Sequence, residues 1–109
     1  MAEHFLYLTT IGRTTGAERQ IEIWFVERGG SFYVVAERRE STGWVKNLLK
    51  QPKVAFSVGT REARESVKGR IAATARVVDD AEVKALMDTK YGWSDGLVVE
   101  LSPLLRPRE

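Results

Sequence analysis

Residues 20–36 read QIEIWFVERGGSFYVVA, and this stretch decides the fold class of the chain. An apolar side chain recurs at every second position along residues 20–27, which is the period of a β-strand. Residues 31–36 are again apolar and aromatic, and the glycine pair at 29–30 favours a two-residue turn between the two runs. The stretch therefore predicts a β-hairpin whose turn spans residues 28–31.

Strand character recurs in four other runs of the sequence. They are residues 4–11, 54–58, 65–78 and 97–102. The longest of these runs alternates apolar residues with Lys68, Arg70 and Arg76, so one face of that strand is solvated or binds something charged. Gly69 within it predicts a bend or bulge of the kind that a barrel needs.

Two short helices are predicted between the strands. A hydroxyl residue at 41–42 is placed to cap a helix over residues 44–51, and an aspartate at 79–80 is placed to cap a second helix that runs to about Lys90. Six short strands with bends close into a small barrel, because an open sheet of this size leaves exposed edges. The predicted fold class is therefore mainly β (α+β), as one domain over residues 1–109.

The composition excludes several kinds of site. The 109 residues contain no cysteine, which excludes disulfides, thiolate catalysis, zinc ribbons and iron–sulfur clusters. The one histidine, His4, argues against a multi-histidine metal site and a Ser–His relay. No run reaches the roughly 20 apolar residues of a membrane helix, and no secretory signal is evident, so we expect a cytoplasmic protein with no integral membrane segment.

The net charge of +2 conceals an uneven distribution of charge along the chain. Residues 12–76 hold 13 Lys and Arg against 7 Asp and Glu, whereas residues 77–105 hold 2 against 6. The basic excess suits one small polyanion better than a nucleic-acid backbone. The aromatic residues expected for base stacking are not evident either, so no nucleic-acid partner is predicted.

The loop at residues 12–19, GRTTGAER, is the first candidate site. Its glycines let backbone N–H groups approach an anion, and its arginines can bind phosphate in a bidentate manner. It lacks the Gly-Lys-Ser/Thr ending of a Walker loop, and it precedes a strand where a dinucleotide fingerprint precedes a helix. An ordinary hairpin loop is the alternative interpretation.

A second candidate site covers residues 36–44, AERRESTGW. It places two arginines beside a helix N-terminus, an arrangement that suits a phosphate or a carboxylate. The alternative is a solvated loop with Trp44 in the core. Trp24 is similarly open to two interpretations, as a buried residue or as one wall of a cleft for a planar ring.

These motifs occur in a recognisable order. They are residues 8–16 (LTTIGRTTG), Arg19, Trp24 with Phe25, the glycines at 29–30, Val35 with Ala36, Trp44 with Asn47 and Leu48, and residues 52–54 (PKV). In this order and spacing the chain resembles the deazaflavin-dependent nitroreductase family, from about Leu6 to Val78 and again in the closing strand. The resemblance implies a six-stranded split β-barrel with two short helices, related to pyridoxamine phosphate oxidases, and coenzyme F420, an 8-hydroxy-5-deazaflavin, as cofactor.

The resemblance also implies where the cofactor binds. In the family, basic residues of the first loop hold the phosphate and the acidic tail, and Arg13 and Arg19 occupy such positions. Thr14 stands where many relatives have lysine, Glu37 stands where a small hydroxyl residue is common, and Arg38 takes the place of a lysine. The residues expected to bind the cofactor are Arg13, Thr14, Thr15, Gly16, Arg19, Glu22, Ile23, Trp24, Ala36, Glu37, Arg38, Arg39, Gly43, Trp44 and Asn47.

The implied activity is hydride transfer from reduced F420 to a small electrophilic acceptor, such as a quinone, a nitroarene or an activated enone. No catalytic side chain is assigned, although Tyr7, Tyr33 and Tyr91 are available phenolic proton donors. The alternatives on the same fold are an FMN-binding oxidoreductase and a non-catalytic carrier of a hydrophobic or anionic ligand. In some relatives a long N-terminal segment closes the pocket; here we expect a partner subunit to supply that wall, and hence a homodimer.

Overall fold

The computed structural model describes residues 4–61 and 70–104. Strands and helices follow one another there in the order β-β-β-β-α-β-β-α-β. The strands are β1 (Phe5–Ile11), β2 (Glu18–Ile23), β3 (Val26–Arg28), β4 (Ser31–Ala36), β5 (Lys53–Gly59), β6 (Ile71–Val78) and β7 (Leu97–Pro103). The helices are α1 (Gly43–Lys50), which follows a 3₁₀ turn at Arg39–Ser41, and α2 (Ala81–Tyr91).

The strands form one antiparallel sheet that curls into a split barrel. The order across the sheet is β2-β1-β5-β6-β7-β4-β3. Strands β2 and β3 are consecutive in the chain and yet lie at opposite edges of the sheet, with only Trp24 and Phe25 between them. The sheet must curl until its two edges meet at these two residues. The predicted mainly β class with two helices is thereby confirmed.

The predicted number of six strands is wrong, because the sheet has seven. The single strand predicted over residues 20–27 is two strands, β2 and β3. Strand β2 pairs with β1 as far as Ile23, and β3 pairs with β4 from Val26 onward. The alternation of side chains continues across the break, so the sequence pattern carries no sign of the change of partner.

The predicted hairpin turn is confirmed. Arg28 of β3 pairs with Ser31 of β4, and the two glycines between them have φ values of 60° and 83°. Two successive residues in this left-handed region define the type I′ turn that matches the twist of a two-stranded ribbon. Glycine adopts the region without steric cost, which is why the Gly29 and Gly30 pair specifies the turn.

Both predicted helices are present, and their N-termini differ. Asp80 caps α2 in the ordinary way, since its carboxylate accepts a hydrogen bond from the Val83 N–H at 3.1 Å. Thr42 occupies the corresponding position before α1, but its hydroxyl makes no capping hydrogen bond. The predicted hydroxyl cap of α1 is therefore wrong in its chemistry, and the helix begins and ends one residue earlier than predicted.

Two apolar clusters lie on the two sides of the sheet. The first fills the barrel and collects buried side chains from five strands and α1, among them Leu6, Leu8, Val34, Leu48, Phe56, Ala73, Val99 and Leu101. The second lies between the outer face of the sheet and α2, and consists of Val26, Tyr33, Val35, Val83, Met87 and Val98. Helix α2 therefore packs on the outside of the barrel.

The strand predicted over residues 65–78 is observed as β6. Its first predicted residues, including Lys68 and the predicted bend at Gly69, lie outside the described residues. Of the predicted cationic face, Arg70 forms an ion pair with Glu18 at 3.2 Å and Arg76 forms one with Glu100 at 2.6 Å. Arg76 is thus paired with an acidic residue of the neighbouring strand β7, and Arg70, which directly precedes β6, with one of the more distant strand β2.

Candidate functional site

An open cleft of about 760 Å³ lies where the barrel splits. Among the described residues, β2 pairs only with β1, and residues 34–36 of β4 pair only with β7 because the ladder with β3 ends at Tyr33. The two strand ends that face this gap therefore have sides without a ladder partner. The cleft is lined by Phe5, Glu22, Ile23, Trp24, Val35, Ala36, Glu37, Arg38, Thr42, Trp44, Arg61, Met87 and Trp93.

Aromatic side chains form much of the cleft wall. All three tryptophans of the chain, Trp24, Trp44 and Trp93, line it. The Trp24 ring stacks on the Tyr91 ring with centroids 4.5 Å apart and planes 3° from parallel, and Trp93 approaches Trp24 edge-on at 6.4 Å. Such flat apolar surfaces suit a planar ligand.

The carboxylate of Glu22 enters the cleft with its charge compensated. It accepts hydrogen bonds from the Arg61 guanidinium at 2.9–3.1 Å and from the Tyr7 hydroxyl at 2.8 Å. Arg61 also lies over the Phe5 ring, 4.8 Å from its centroid. The arrangement presents an ion pair at this part of the cleft, where an isolated carboxylate would repel an anionic ligand.

Within the described residues, a hydroxyl and a guanidinium of the cleft lining have no protein partner. The Thr42 hydroxyl oxygen is buried and has no hydrogen-bond partner within residues 4–61 and 70–104. The exposed Arg38 guanidinium has neither an ion pair nor a hydrogen bond in the same part of the chain. A buried hydroxyl without a partner is costly, and a ligand with polar and anionic groups would satisfy both side chains.

The first loop is fastened to α1. The Asn47 side-chain oxygen accepts hydrogen bonds from the Arg13 backbone N–H at 3.2 Å and from its guanidinium at 2.8 Å, and the Asn47 amide donates to Thr10 at 3.2 Å. The same Arg13 nitrogen lies 3.4 Å from the Gly43 carbonyl oxygen. Asn47 is buried, so this network fixes Arg13 beside the first turn of the helix.

The structure brings together only part of the predicted cofactor-binding set. Seven of the fifteen predicted residues line the cleft, namely Glu22, Ile23, Trp24, Ala36, Glu37, Arg38 and Trp44. Eight lie outside its lining, namely Arg13, Thr14, Thr15, Gly16, Arg19, Arg39, Gly43 and Asn47. Among these eight, Arg39 has its guanidinium in an ion pair with Asp95 at 3.0 Å. Its backbone has a left-handed φ of 53°.

Six residues of the cleft were not among those expected to bind the cofactor. They are Phe5, Val35, Thr42, Arg61, Met87 and Trp93. Thr42 belongs to the second candidate site at residues 36–44, although it was not assigned to the cofactor. Arg61, Met87 and Trp93 come from distant parts of the chain, and nothing in their local sequence indicates that they reach the same cleft.

The three tyrosine hydroxyls considered as proton donors all donate to protein groups. Tyr7 donates to Glu22, and Tyr91 donates to the Phe25 carbonyl at 2.9 Å. Tyr33 donates to Glu100 at 2.8 Å, away from the cleft lining. Burial and the hydrogen bond to Glu100 raise the pKa of Tyr33, so this phenol stays protonated.

The described residues hold no group of three or more His, Cys, Asp or Glu side chains that could bind a metal ion. None of the described helices has both the length and the apolar character needed to cross a membrane.

Solved structures show the same fold at low sequence identity. HutZ, the heme storage protein from Vibrio cholerae, is 19% identical over 94% of this chain and 82% of its own, with a TM-score of 0.73. A putative pyridoxamine 5′-phosphate oxidase from Listeria innocua is 14% identical over 93% and 84%, with a TM-score of 0.68. An F420 reductase is 16% identical over 93% and 86%, with a TM-score of 0.63.

Sequence comparison is more specific. No curated protein matches the chain significantly. The family model described as F420H(2)-dependent quinone reductase matches residues 1–92, which is most of the chain. This match confirms the resemblance drawn from the order of the loop and aromatic motifs. The chain belongs to the F420H(2)-dependent quinone reductase family.

Proposed function

We propose that this protein binds reduced coenzyme F420 in the split-barrel cleft and catalyses hydride transfer from it to a small electrophilic acceptor. Such an acceptor is a quinone, a nitroarene or an activated enone. The observation that supports the proposal best is the cleft itself, whose lining combines three tryptophans with a hydroxyl and a guanidinium that have no partner among the described residues. Its volume of about 760 Å³ falls in the range typical of cofactor sites. Membership of a family described by its dependence on F420H(2) supports this choice of cofactor.

The residues present fit such a cofactor. Trp24, Ile23 and Ala36 offer flat and apolar surface beside strand ends, which suits the planar ring. Thr42 offers a hydrogen-bonding group, and Arg38 offers a cation for the anionic part. Arg13, fixed by Asn47 at the first turn of α1, is proposed to extend this positive surface beyond the cleft.

In this proposal the cofactor supplies the reactive group, and the protein supplies its binding site. When bound, the reduced deazaflavin supplies the hydride. The protein contributes orientation, and the tryptophans exclude water from the ring. The Arg61 and Tyr7 hydrogen bonds hold the Glu22 charge in a compensated state, so Glu22 does not repel an anionic cofactor. The lining also carries the Glu37 carboxylate, which is adjacent in sequence to the Arg38 cation. No side chain of the chain is assigned as a proton relay.

Binding is tested by titrating the protein with F420 and with FMN and following tryptophan fluorescence. Because all three tryptophans line the cleft, occupancy should quench most of the emission. We expect tighter binding of F420 than of FMN, followed by oxidation of reduced F420 when an acceptor is added. Tighter FMN binding would favour a flavin enzyme, and binding without turnover on any quinone, nitroarene or enone would favour a carrier.

Replacing Arg13 by alanine tests the role of the first loop. We expect Arg13→Ala and Arg19→Ala each to weaken F420 binding by about 1–3 kcal/mol, because each removes a charge-assisted hydrogen-bond donor. The matched control is Lys46→Ala, which removes an exposed positive charge from α1 outside the cleft lining. Unchanged dissociation constants in both arginine variants would mean that the anionic tail binds elsewhere.

A further inference from the structure

Within the described residues, the break between β2 and β3 leaves two residues, one of them buried, without strand partners. The β1–β2 ladder ends at Ile23 and the β3–β4 ladder begins at Val26, so Trp24 and Phe25 belong to neither. Phe25 is only 8% exposed. Buried backbone N–H and C=O groups need hydrogen-bond partners, and here no neighbouring strand provides them.

Tyr91, the last residue of α2, takes the place of the missing strand. Its hydroxyl accepts a hydrogen bond from the Phe25 N–H at 3.1 Å and donates one to the Phe25 carbonyl at 2.9 Å. The ammonium of Lys90 donates a second hydrogen bond to the same carbonyl at 2.9 Å and lies over the Phe25 ring. The backbone of Phe25 is therefore satisfied entirely by two side chains from the end of α2.

The ring of the same tyrosine fixes Trp24. The Tyr91 and Trp24 rings stack face to face, with planes 3° from parallel and centroids 4.5 Å apart. Trp24 is 38% exposed and lines the cleft, whereas Tyr91 is absent from the lining. The Tyr91 side chain thus contacts both residues of the break: its hydroxyl bonds to the Phe25 backbone, and its ring packs on the Trp24 ring of the cleft wall.

We propose that Tyr91 is a positioning residue, which acts on the cleft only through Trp24 and Phe25. The inference rests on the proposed function in one respect, namely that hydride transfer takes place in this cleft. A phenol has one proton to donate, and that of Tyr91 is directed at the Phe25 carbonyl. Tyr91 therefore sets the position of the Trp24 wall and does not protonate the product.

The first arm of the test needs no cofactor. Hydrogen exchange at the Phe25 amide is measured by NMR in the unaltered protein and in Tyr91→Phe, which keeps the stacked ring and removes the hydroxyl. We expect protection of this amide to fall about tenfold, since its hydrogen-bond acceptor is lost. Lys90→Met, which leaves the acceptor of the Phe25 N–H in place, should retain most of the protection.

The second arm measures steady-state kinetics with reduced F420 and a quinone. In Tyr91→Phe we expect kcat/KM for the quinone to fall about tenfold, because small misplacements of a binding wall are costly, with the shape of the pH profile unchanged. The matched control is Tyr33→Phe, which also removes a hydroxyl hydrogen-bonded to protein but lies outside the cleft lining. Tyr91 lies outside the lining too, and the difference is that the Tyr33 hydroxyl bonds to Glu100 and Arg28, whereas that of Tyr91 bonds to Phe25. Tyr33→Phe should therefore lose stability without this kinetic change.

The outcomes separate the two proposals. Unchanged exchange at Phe25 in Tyr91→Phe would overturn the positioning role, and so would unchanged kinetics or the loss of one limb of the pH profile, which a proton donor predicts. If the unaltered protein neither binds nor oxidises reduced F420, the proposed function fails. In that case the exchange measurement alone still decides whether Tyr91 holds the break.

Discussion

Gly96 shows how a single residue sets the edge of the cleft. It lies immediately before β7, against the end of β4, where a Cβ atom would be 2.5 Å from the Ala36 carbonyl oxygen and 2.6 Å from a Val35 methyl carbon. These distances are far below van der Waals contact. Only glycine lets β7 approach β4 this closely, and both residues that it faces line the cleft.

Substitution of Gly96 by alanine is therefore expected to destabilise the protein. The added methyl group must push β4 away from β7, and overpacking of this kind costs about 1–3 kcal/mol in the free energy of unfolding. Urea denaturation measures the change. Gly59→Ala is the control, because a Cβ atom at Gly59 meets nothing within 4 Å. Equal stability of the two variants would show that β4 can shift without cost.

At the scale of elements, α2 is attached to the barrel at both of its ends. Its last turn holds the break between β2 and β3 through Tyr91 and Lys90. At its start, the Arg28 guanidinium donates to Asp80 and to Glu82, each at 3.0 Å. The hydrogen bond from Arg28, with that from the Val83 N–H, lowers the pKa of the Asp80 carboxyl to about 2.

This depressed pKa predicts how stability responds to acid. In the unfolded chain the pKa of this carboxyl is 3.8. The ionised Asp80 therefore stabilises the folded state above that pH, and its contribution to the free energy of unfolding is lost as the pH falls towards 2. Asp80→Asn keeps a capping side chain and removes the charge. We expect it to be less stable than the unaltered protein at pH 6 and to converge with it near pH 2.

Urea midpoints over the acid range measure this convergence. Glu82→Gln is the matched control, because the Glu82 side chain is 72% exposed and its ion pair with Arg28 is screened by water. A stability difference between Asp80→Asn and the unaltered protein that stays constant from pH 6 to pH 2 would contradict the role of the Asp80 charge.

At the scale of the whole molecule, the barrel interior is the main source of stability. Phe56 of β5 is fully buried there and packs against Phe32 of β4, with ring centroids 4.8 Å apart. Val58 lies two residues further along the same strand and is 40% exposed. The two positions have the same orientation on β5 but lie at different depths.

Truncation at these two positions should give very different results. Phe56→Ala is expected to lower the free energy of unfolding by about 3–5 kcal/mol, because it leaves a cavity in a packed core. Val58→Ala should change it by about 0.5 kcal/mol or less, as at other partly exposed sites. Chemical denaturation of both variants measures the difference. Similar losses would mean that the barrel interior does not dominate stability.

The sequence by itself determined the features that depend on neighbouring residues. The glycine pair at 29–30 specifies a type I′ turn, Asp80 specifies the start of α2, and side-chain alternation specifies strands and hence a mainly β fold. The order of short motifs was also enough to indicate the family. The turn, cap and strand signals each lie within a few residues of the element that they specify, whereas the family signal is spread over most of the chain.

The tertiary structure alone decided where the barrel splits and what lines the cleft. Trp24 and Phe25 continue the alternation of β2, and only the change of partner from β1 to β4 shows that the strand ends there. Arg61 reaches the cleft from the segment after β5, and Met87 and Trp93 reach it from the end of α2 and the residues that follow. The physical reason is that hydrogen-bond partners and cavity walls are set by the path of the whole sheet, whereas side-chain periodicity records only the exposure of each strand.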